Sequence, residues 1–154
     1  MDAGIPAERT LLVYAGYNLV AAAASYPAGG LSDRWGRKGL LLVAFAIFAI
    51  AYAGFALTTD AWLIAGLFLL YGVFQGAFRA VGKALAVDLV PAELRGSGVG
   101  LYGTVVGLSA LVASVVGGQL WDGLGPTATF GYGATCAVLG AVMLARVPSR
   151  GSRR

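Results

Sequence analysis

Thr10 to Ser32 reads TLLVYAGYNLVAAAASYPAGGLS, 23 residues without a single charge. Four more uncharged runs follow: Gly39–Thr59 with 21 residues, Ala61–Phe78 with 18, Gly96–Trp121 with 26 and Gly123–Ala145 with 23. A bilayer hydrocarbon core of about 30 Å takes about 20 helical residues at about 1.5 Å each, so every run has the length of a membrane-spanning helix. Composition agrees. The chain of 154 residues is 58% hydrophobic and 12% charged, against about 25% charged in an ordinary soluble domain. The reading is an all-α integral membrane protein with five transmembrane helices.

Working outward, the charges between the runs give the direction of threading. Basic residues gather on the cytoplasmic side of membrane proteins. Arg34, Arg37 and Lys38 separate the first two runs, Arg79, Lys83 and Arg95 the third and fourth, and Arg146, Arg150, Arg153 and Arg154 follow the fifth. The connections around Asp60 and Asp122 contain no Lys or Arg, and only Arg9 precedes the first run, so alternate connections divide the basic residues 10 to 1. The expected topology has the N-terminus outside and the C-terminus in the cytoplasm, in a cell (inner or plasma) membrane. Residues 1–9 form an extracytoplasmic segment and residues 10–147 a five-span domain. The spans cover about 10–29, 39–59, 61–84, 96–119 and 125–146, and residues 148–154 form a basic cytoplasmic tail.

Several classes of function drop out. Asp2 and Glu8 stand where a signal peptide carries a basic segment, and the first run exceeds a signal core. Cys136 is the one cysteine and there is no His, which argues against a disulfide framework and a zinc site. No metal or other cofactor is expected. The net charge of +4 lies on connections and tail and lacks interleaved aromatics, so a lipid surface explains it better than nucleic acid. No cluster of nucleophiles or metal ligands points to an enzyme.

Local chemistry marks the helix ends. Pro126 suits the first turn of the fifth span, Pro91 stops the extension of the third, and Pro148 follows the last. Pro27 lies inside the first span and is expected to kink it. In the fourth span Gly103 and Gly107 form a GxxxG pair, continued by Ala110, Ser114 and Gly118 at four-residue spacing. Small-residue stripes let membrane helices approach closely, so Gly103, Gly107, Ser114 and Gly118 are candidate packing positions.

Residues 29–38 read Gly-Gly-Leu-Ser-Asp-Arg-Trp-Gly-Arg-Lys. Gly29 and Gly36 permit a tight reversal, Asp33 can face the positive end of a helix, and Arg34, Arg37 and Lys38 can anchor to headgroups. The segment resembles the signature loop of the major facilitator superfamily, G-x-L-[AS]-D-R-x-G-R-[RK]. The resemblance implies a conformational latch built from Gly29, Asp33, Arg34, Gly36, Arg37 and Lys38. It further implies a partial six-helix half of a twelve-span secondary transporter, whose halves form the two walls of an alternating-access pathway. In that family the signature follows the second span of a half, and here it follows the first run. The five spans therefore resemble spans 8–12 or 2–6. Val90-Pro91, Leu94-Arg95-Gly96, Gly100-Leu101-Tyr102 and Gly118-Gln119-Leu120-Trp121-Asp122 favour 8–12, the C-terminal half. The implied partners are the lipid bilayer, a small-molecule solute, and a complementary half or missing N-terminal spans. The alternative is a small multispan membrane protein that acts in assembly or regulation without transporting.

Intramembrane polar groups are costly and mark functional positions. Tyr14 and Asn18 share one helical face, as do Tyr71, Gln75 and Arg79. Tyr14, Asn18, Tyr71 and Gln75 are candidates for lining a solute cavity; for Asn18 and Gln75, interhelical hydrogen bonding accounts equally well for their presence. Arg79 is expected to snorkel to the interface beside Lys83. No acidic residue lies deep in a run, so a proton-coupling carboxylate is not expected in this chain.

Overall fold

A computed structural model describes residues 7–147, and all of its regular structure is helical. The helices are α1 (Ala7–Trp35), α2 (Arg37–Leu57), α3 (Ala61–Asp88), α4 (Arg95–Leu124) and α5 (Pro126–Arg146), with a 3₁₀ turn at Ala92–Leu94 leading into α4. Residues 1–6 and the expected basic tail 148–154 lie outside the described residues. Helices α2 to α5 are each long and apolar enough to cross a membrane. Helix α1 has ample length at 29 residues, but Tyr14, Tyr17, Asn18, Ser25 and Tyr26 dilute its apolar content.

The ends of the helices differ from the sequence expectation, for local reasons. Helix α1 does not stop at residue 29. It continues through Pro27 and through most of the signature segment to Trp35, with Ser32 donating to the Gly29 carbonyl at 2.7 Å. The reversal falls on Gly36 alone, at φ 85° and ψ 138°, where a side chain is strained. The fourth connection shrinks in the same way. Helix α4 passes through Trp121 and Asp122 to Leu124, and Gly125 at φ 87° joins it directly to Pro126 at the start of α5. Helix α3 runs to Asp88, four residues past the expected end, and stops before Pro91. Its start is capped by Asp60, whose carboxylate accepts from the backbone N–H groups of Trp62 and Leu63, both at 2.9 Å.

Helices α1, α2 and α3 form a compact group, with α5 laid against α2. Water drives no association inside a bilayer, so helices are held by close contact and a few polar bonds. The closest contact is the seam between α1 and α3. A Cβ on Gly72 would lie 2.9 Å from the Tyr17 carbonyl oxygen, and one on Gly76 would run into the Ala21 carbonyl and the Ser25 backbone nitrogen. Gly72 and Gly76 are therefore the GxxxG pair that packs the bundle. The interface of α2 with α5 follows similar logic, with the ring of Tyr52 over Gly133 and that of Phe45 over Gly140. Between them Ala137 is buried.

Helix α4 is different. It has no buried residue. It meets α3 where Tyr102 covers Gly82 and the connection after α3 where Val90 covers Gly98, and it meets α5 where the Thr129 hydroxyl lies 3.5 Å from the Gly117 carbonyl. Nothing stands within 4 Å of a Cβ built on Gly103, Gly107 or Gly118, and Ser114 is exposed. The stripe expected to pack is open in this chain.

This contrast yields a test. Gly72→Val or Gly76→Val should lower stability by about 1–3 kcal/mol, the usual cost of forcing methyl groups into a packed contact. Gly103→Val should cost much less. Denaturing-detergent titration of the purified chain measures all three; equal losses would refute the assignment of the seam.

Candidate functional site

The up-and-down course of the helices brings the start of α2 and the ends of α3 and α5 to one end of the bundle, and that end is the basic one. Arg37 holds it together. One guanidinium nitrogen makes an ion pair with the Asp88 carboxylate at 2.7 Å, and the same nitrogen donates to the Ala84 carbonyl. Lys38 ties α2 to α5, donating to the Ala145 carbonyl at 2.9 Å and to the Val147 carbonyl. Neighbouring residues of one motif thus reach in opposite directions, Arg37 to α3 and Lys38 to α5. The choice of partners follows from position. Both lie in the first turn of α2, beside the last turns of α3 and α5; the end of α5 presents free carbonyls to Lys38, and the end of α3 presents the Asp88 carboxylate to Arg37.

The rest of the signature segment behaves otherwise. Asp33 and Arg34 are exposed on the last turn of α1. Among the described residues they make no salt bridge. Gly29 lies on α1 with no neighbour near its Cβ position, and Gly36 is the hinge between α1 and α2. The segment therefore has an engaged half, Arg37 and Lys38, and an exposed half, Asp33 and Arg34.

Towards the bundle centre, the polar candidates come from two adjoining helices. Asn18 on α1 donates to the Tyr14 carbonyl of its own helix at 2.8 Å, and both residues are exposed. On α3, the Gln75 amide donates to the Tyr71 hydroxyl over a long 3.5 Å. Tyr17 joins the two pairs. Its ring is 6.0 Å from Tyr14 and stacks on Tyr71 at 5.5 Å. Tyr52 of α2 approaches Tyr71 at 5.8 Å. Tyr17 and Tyr52 were not singled out as cavity candidates from sequence. The i, i+3 pairing of Tyr14 with Tyr17 was the available signal for the first. The second depends on which helix lies beside α3, and spacing along the chain does not carry that information.

The chain matches the Major Facilitator Superfamily over residues 2–154. It belongs to that superfamily. A protein described as an uncharacterized MFS-type transporter of Methanocaldococcus jannaschii is 37% identical over 134 residues, covering 87% of this chain and 33% of the relative. A second MFS-type transporter, from Mycobacterium tuberculosis, is 30% identical over 133 residues, 86% of this chain and 23% of the relative. A niacin transporter of Acinetobacter baylyi is 31% identical over 144 residues, 93% of this chain and 32% of the relative. The chain spans about a third or less of the length of these relatives.

Membership of the major facilitator superfamily makes the chain a transporter-type domain of an integral membrane protein, and not an enzyme. In this member, the two basic residues that close the motif have partners that can be dissected. Arg37→Gln removes both the ion pair and the bond to the Ala84 carbonyl. It should cost about 2 kcal/mol, as expected for losing a charged donor's hydrogen bond. Asp88→Asn leaves the carbonyl bond and should cost less than about 1 kcal/mol, as for a half-exposed ion pair. Only the ion-pair part should weaken in high salt. Thermal melts of the detergent-solubilised variants at low and high salt check this order; an equal loss in both variants would refute it.

Proposed function

We propose that this chain forms one wall of an alternating-access pathway for a small solute, within a larger transporter of the major facilitator type. The observation that carries the reading is the divided state of the signature segment. Arg37 and Lys38 fasten the segment to α3 and α5 of its own wall, which leaves Asp33 and Arg34 exposed at the rim, able to contact an opposing wall in one access state and release it in another. Five spans supply one wall only, and the pathway needs the complementary half. All five helices cross the membrane in this reading, α1 included. The basic end faces the cytoplasm, with the N-terminus outside. The sequence around Val90–Gly96 and Gly118–Asp122 supports assignment to spans 8–12.

Tyr14, Asn18, Tyr71 and Gln75 are the proposed solute-facing positions, with Tyr17 and Tyr52 beside them. The aromatic rings offer stacking and the amides offer hydrogen bonds. Several relatives carry names that specify cargo, among them niacin and tetracenomycin C. Niacin and tetracenomycin C, named for those relatives, are accordingly the first solutes to test.

Two measurements address the proposal in the complete transporter that contains this chain. Asp33→Asn should shift the balance of access states, read as about a several-fold change in labelling of single cysteines at the two ends of the pathway; unchanged labelling would refute the latch. Gln75→Ala should raise the KM for the transported solute about five-fold or more, equivalent to one lost hydrogen bond of about 1 kcal/mol. An unaltered KM would remove Gln75 from the cavity.

A further inference from the structure

The basic end contains a cleft that shares the Arg37–Asp88 pair with the signature segment, while its two other cations have no part in the transport reading. Arg37 reaches it from the start of α2, Lys83 and Asp88 from the end of α3, and Arg95 from the start of α4. Ala80 and Ala84 line the space between the charges, which is shallow and largely open, with a volume of about 510 Å³. Three cations face one carboxylate, and that carboxylate is already taken by Arg37 at 2.7 Å. Among the described residues, Lys83 and Arg95 have neither an ion pair nor a side-chain hydrogen bond. The cleft therefore presents two uncompensated positive charges, plus the free N–H groups of the Arg37 fork, above a floor of methyl groups.

Its depth is informative. The uncharged run of α3 ends at Phe78, and that of α4 begins at Gly96, directly after Arg95. At about 1.5 Å per residue, positions 80–83 lie about 3–8 Å beyond the end of the α3 run, within a headgroup layer of about 5–8 Å on each side of the hydrocarbon core. On the hydrocarbon side of Arg95, the same helix exposes Leu101, Val105 and Leu108, at 68%, 53% and 61%. Tyr102, seven residues on from Arg95, shares its face and packs over Gly82 of α3, so this exposed apolar surface lies about a third of a turn round the helix from the cleft.

We infer that this cleft binds the phosphate of an anionic phospholipid. Lys83 and Arg95 supply the charge and the hydrogen-bond donors, and Arg37 is held in place by Asp88. The small residues between the cations let the phosphate approach, and the cleft is open enough to admit it. Free phosphate shares the headgroup's chemistry, but it gains nothing from the position of the site in the headgroup layer. Basic pockets between transmembrane helices are general sites for such headgroups.

Native mass spectrometry of the full 154-residue chain with added phosphatidylglycerol tests the inference. The double variant Lys83→Gln/Arg95→Gln should lose about thirty-fold in phosphatidylglycerol affinity, and Lys83→Gln alone about five-fold, from the usual contribution of a cation near an anionic surface. Lys83→Arg should bind as the original does. Arg34→Gln and Arg146→Gln, at the same end of the bundle but outside the cleft, should leave affinity unchanged. Circular dichroism confirms that the variants stay helical, and the single variant carries the test if the double one is not recovered folded. Equal losses in the Arg34 and Arg146 controls would mean diffuse attraction and overturn the site. Equal retention of zwitterionic phosphatidylcholine, or displacement of the lipid by millimolar inorganic phosphate, would overturn the assignment to an anionic lipid.

Discussion

The α1–α3 seam is the contact on which the rest of the arrangement depends. In a solvent as apolar as the helices themselves, burial of Leu or Val against a neighbour gains little, and contact distance decides which faces pair. Gly72 and Gly76 remove the side chains that would hold α1 away, so that backbone meets backbone at Tyr17 and Ala21. Tyr17 is thereby delivered onto Tyr71. Because α1 lies in that groove, the other faces of α3 are left for Phe48 and Tyr52 of α2. The aromatic cluster at the bundle centre is a consequence of two missing side chains.

Much of this fold was legible in the sequence, because one constraint dominates it. A helix that crosses hydrocarbon must stay uncharged for about 20 residues, and five runs of that kind are visible without any structure. Helix ends were less legible. Charges in 29–38 read as a loop, yet a charge at the interface does not end a helix. Only Gly36, with its positive φ, forces the reversal. The same holds for Trp121 and Asp122, which are polar enough to mark the membrane boundary and still helical. Partner choice was the least legible. A GxxxG spacing occurs at Gly72/Gly76 and at Gly103/Gly107, and the spacing is identical although one pair is packed and the other open. Small residues permit close approach without saying which helix arrives.

The signature residues show the same division between type and partner. That Arg37 and Lys38 would serve an interfacial function follows from their charge and position. That Arg37 would find Asp88, 51 residues further along, follows only from the end of α3 lying beside the start of α2. Asp33 is nearer in sequence and is not its partner. Helix geometry explains this: Asp33 ends α1 and Arg37 begins α2, and the turn at Gly36 carries the two side chains onto different elements.

The polar groups of the spans reveal how the bundle combines rigidity with adaptable faces. Asn18, Ser25, Thr104 and Thr135 each bond to a carbonyl three or four residues earlier in their own helix. Each is satisfied before any neighbour arrives, so it removes the penalty of a bare polar group in hydrocarbon without committing the helix to a partner. The strong bonds between helices, from Arg37 and Lys38, are confined to the basic end. Further along, the helices are joined by aromatic contacts such as Tyr52 with Phe130 and Phe55 with Phe68. Such contacts tolerate small rotations that a charged hydrogen bond does not. The bundle is thus fastened by charge at its basic end and, further along, by the glycine seam and by rings. Its open faces, the Tyr14–Asn18 side of α1 and the glycine side of α4, are free to meet other surfaces without polar bonds having to break first.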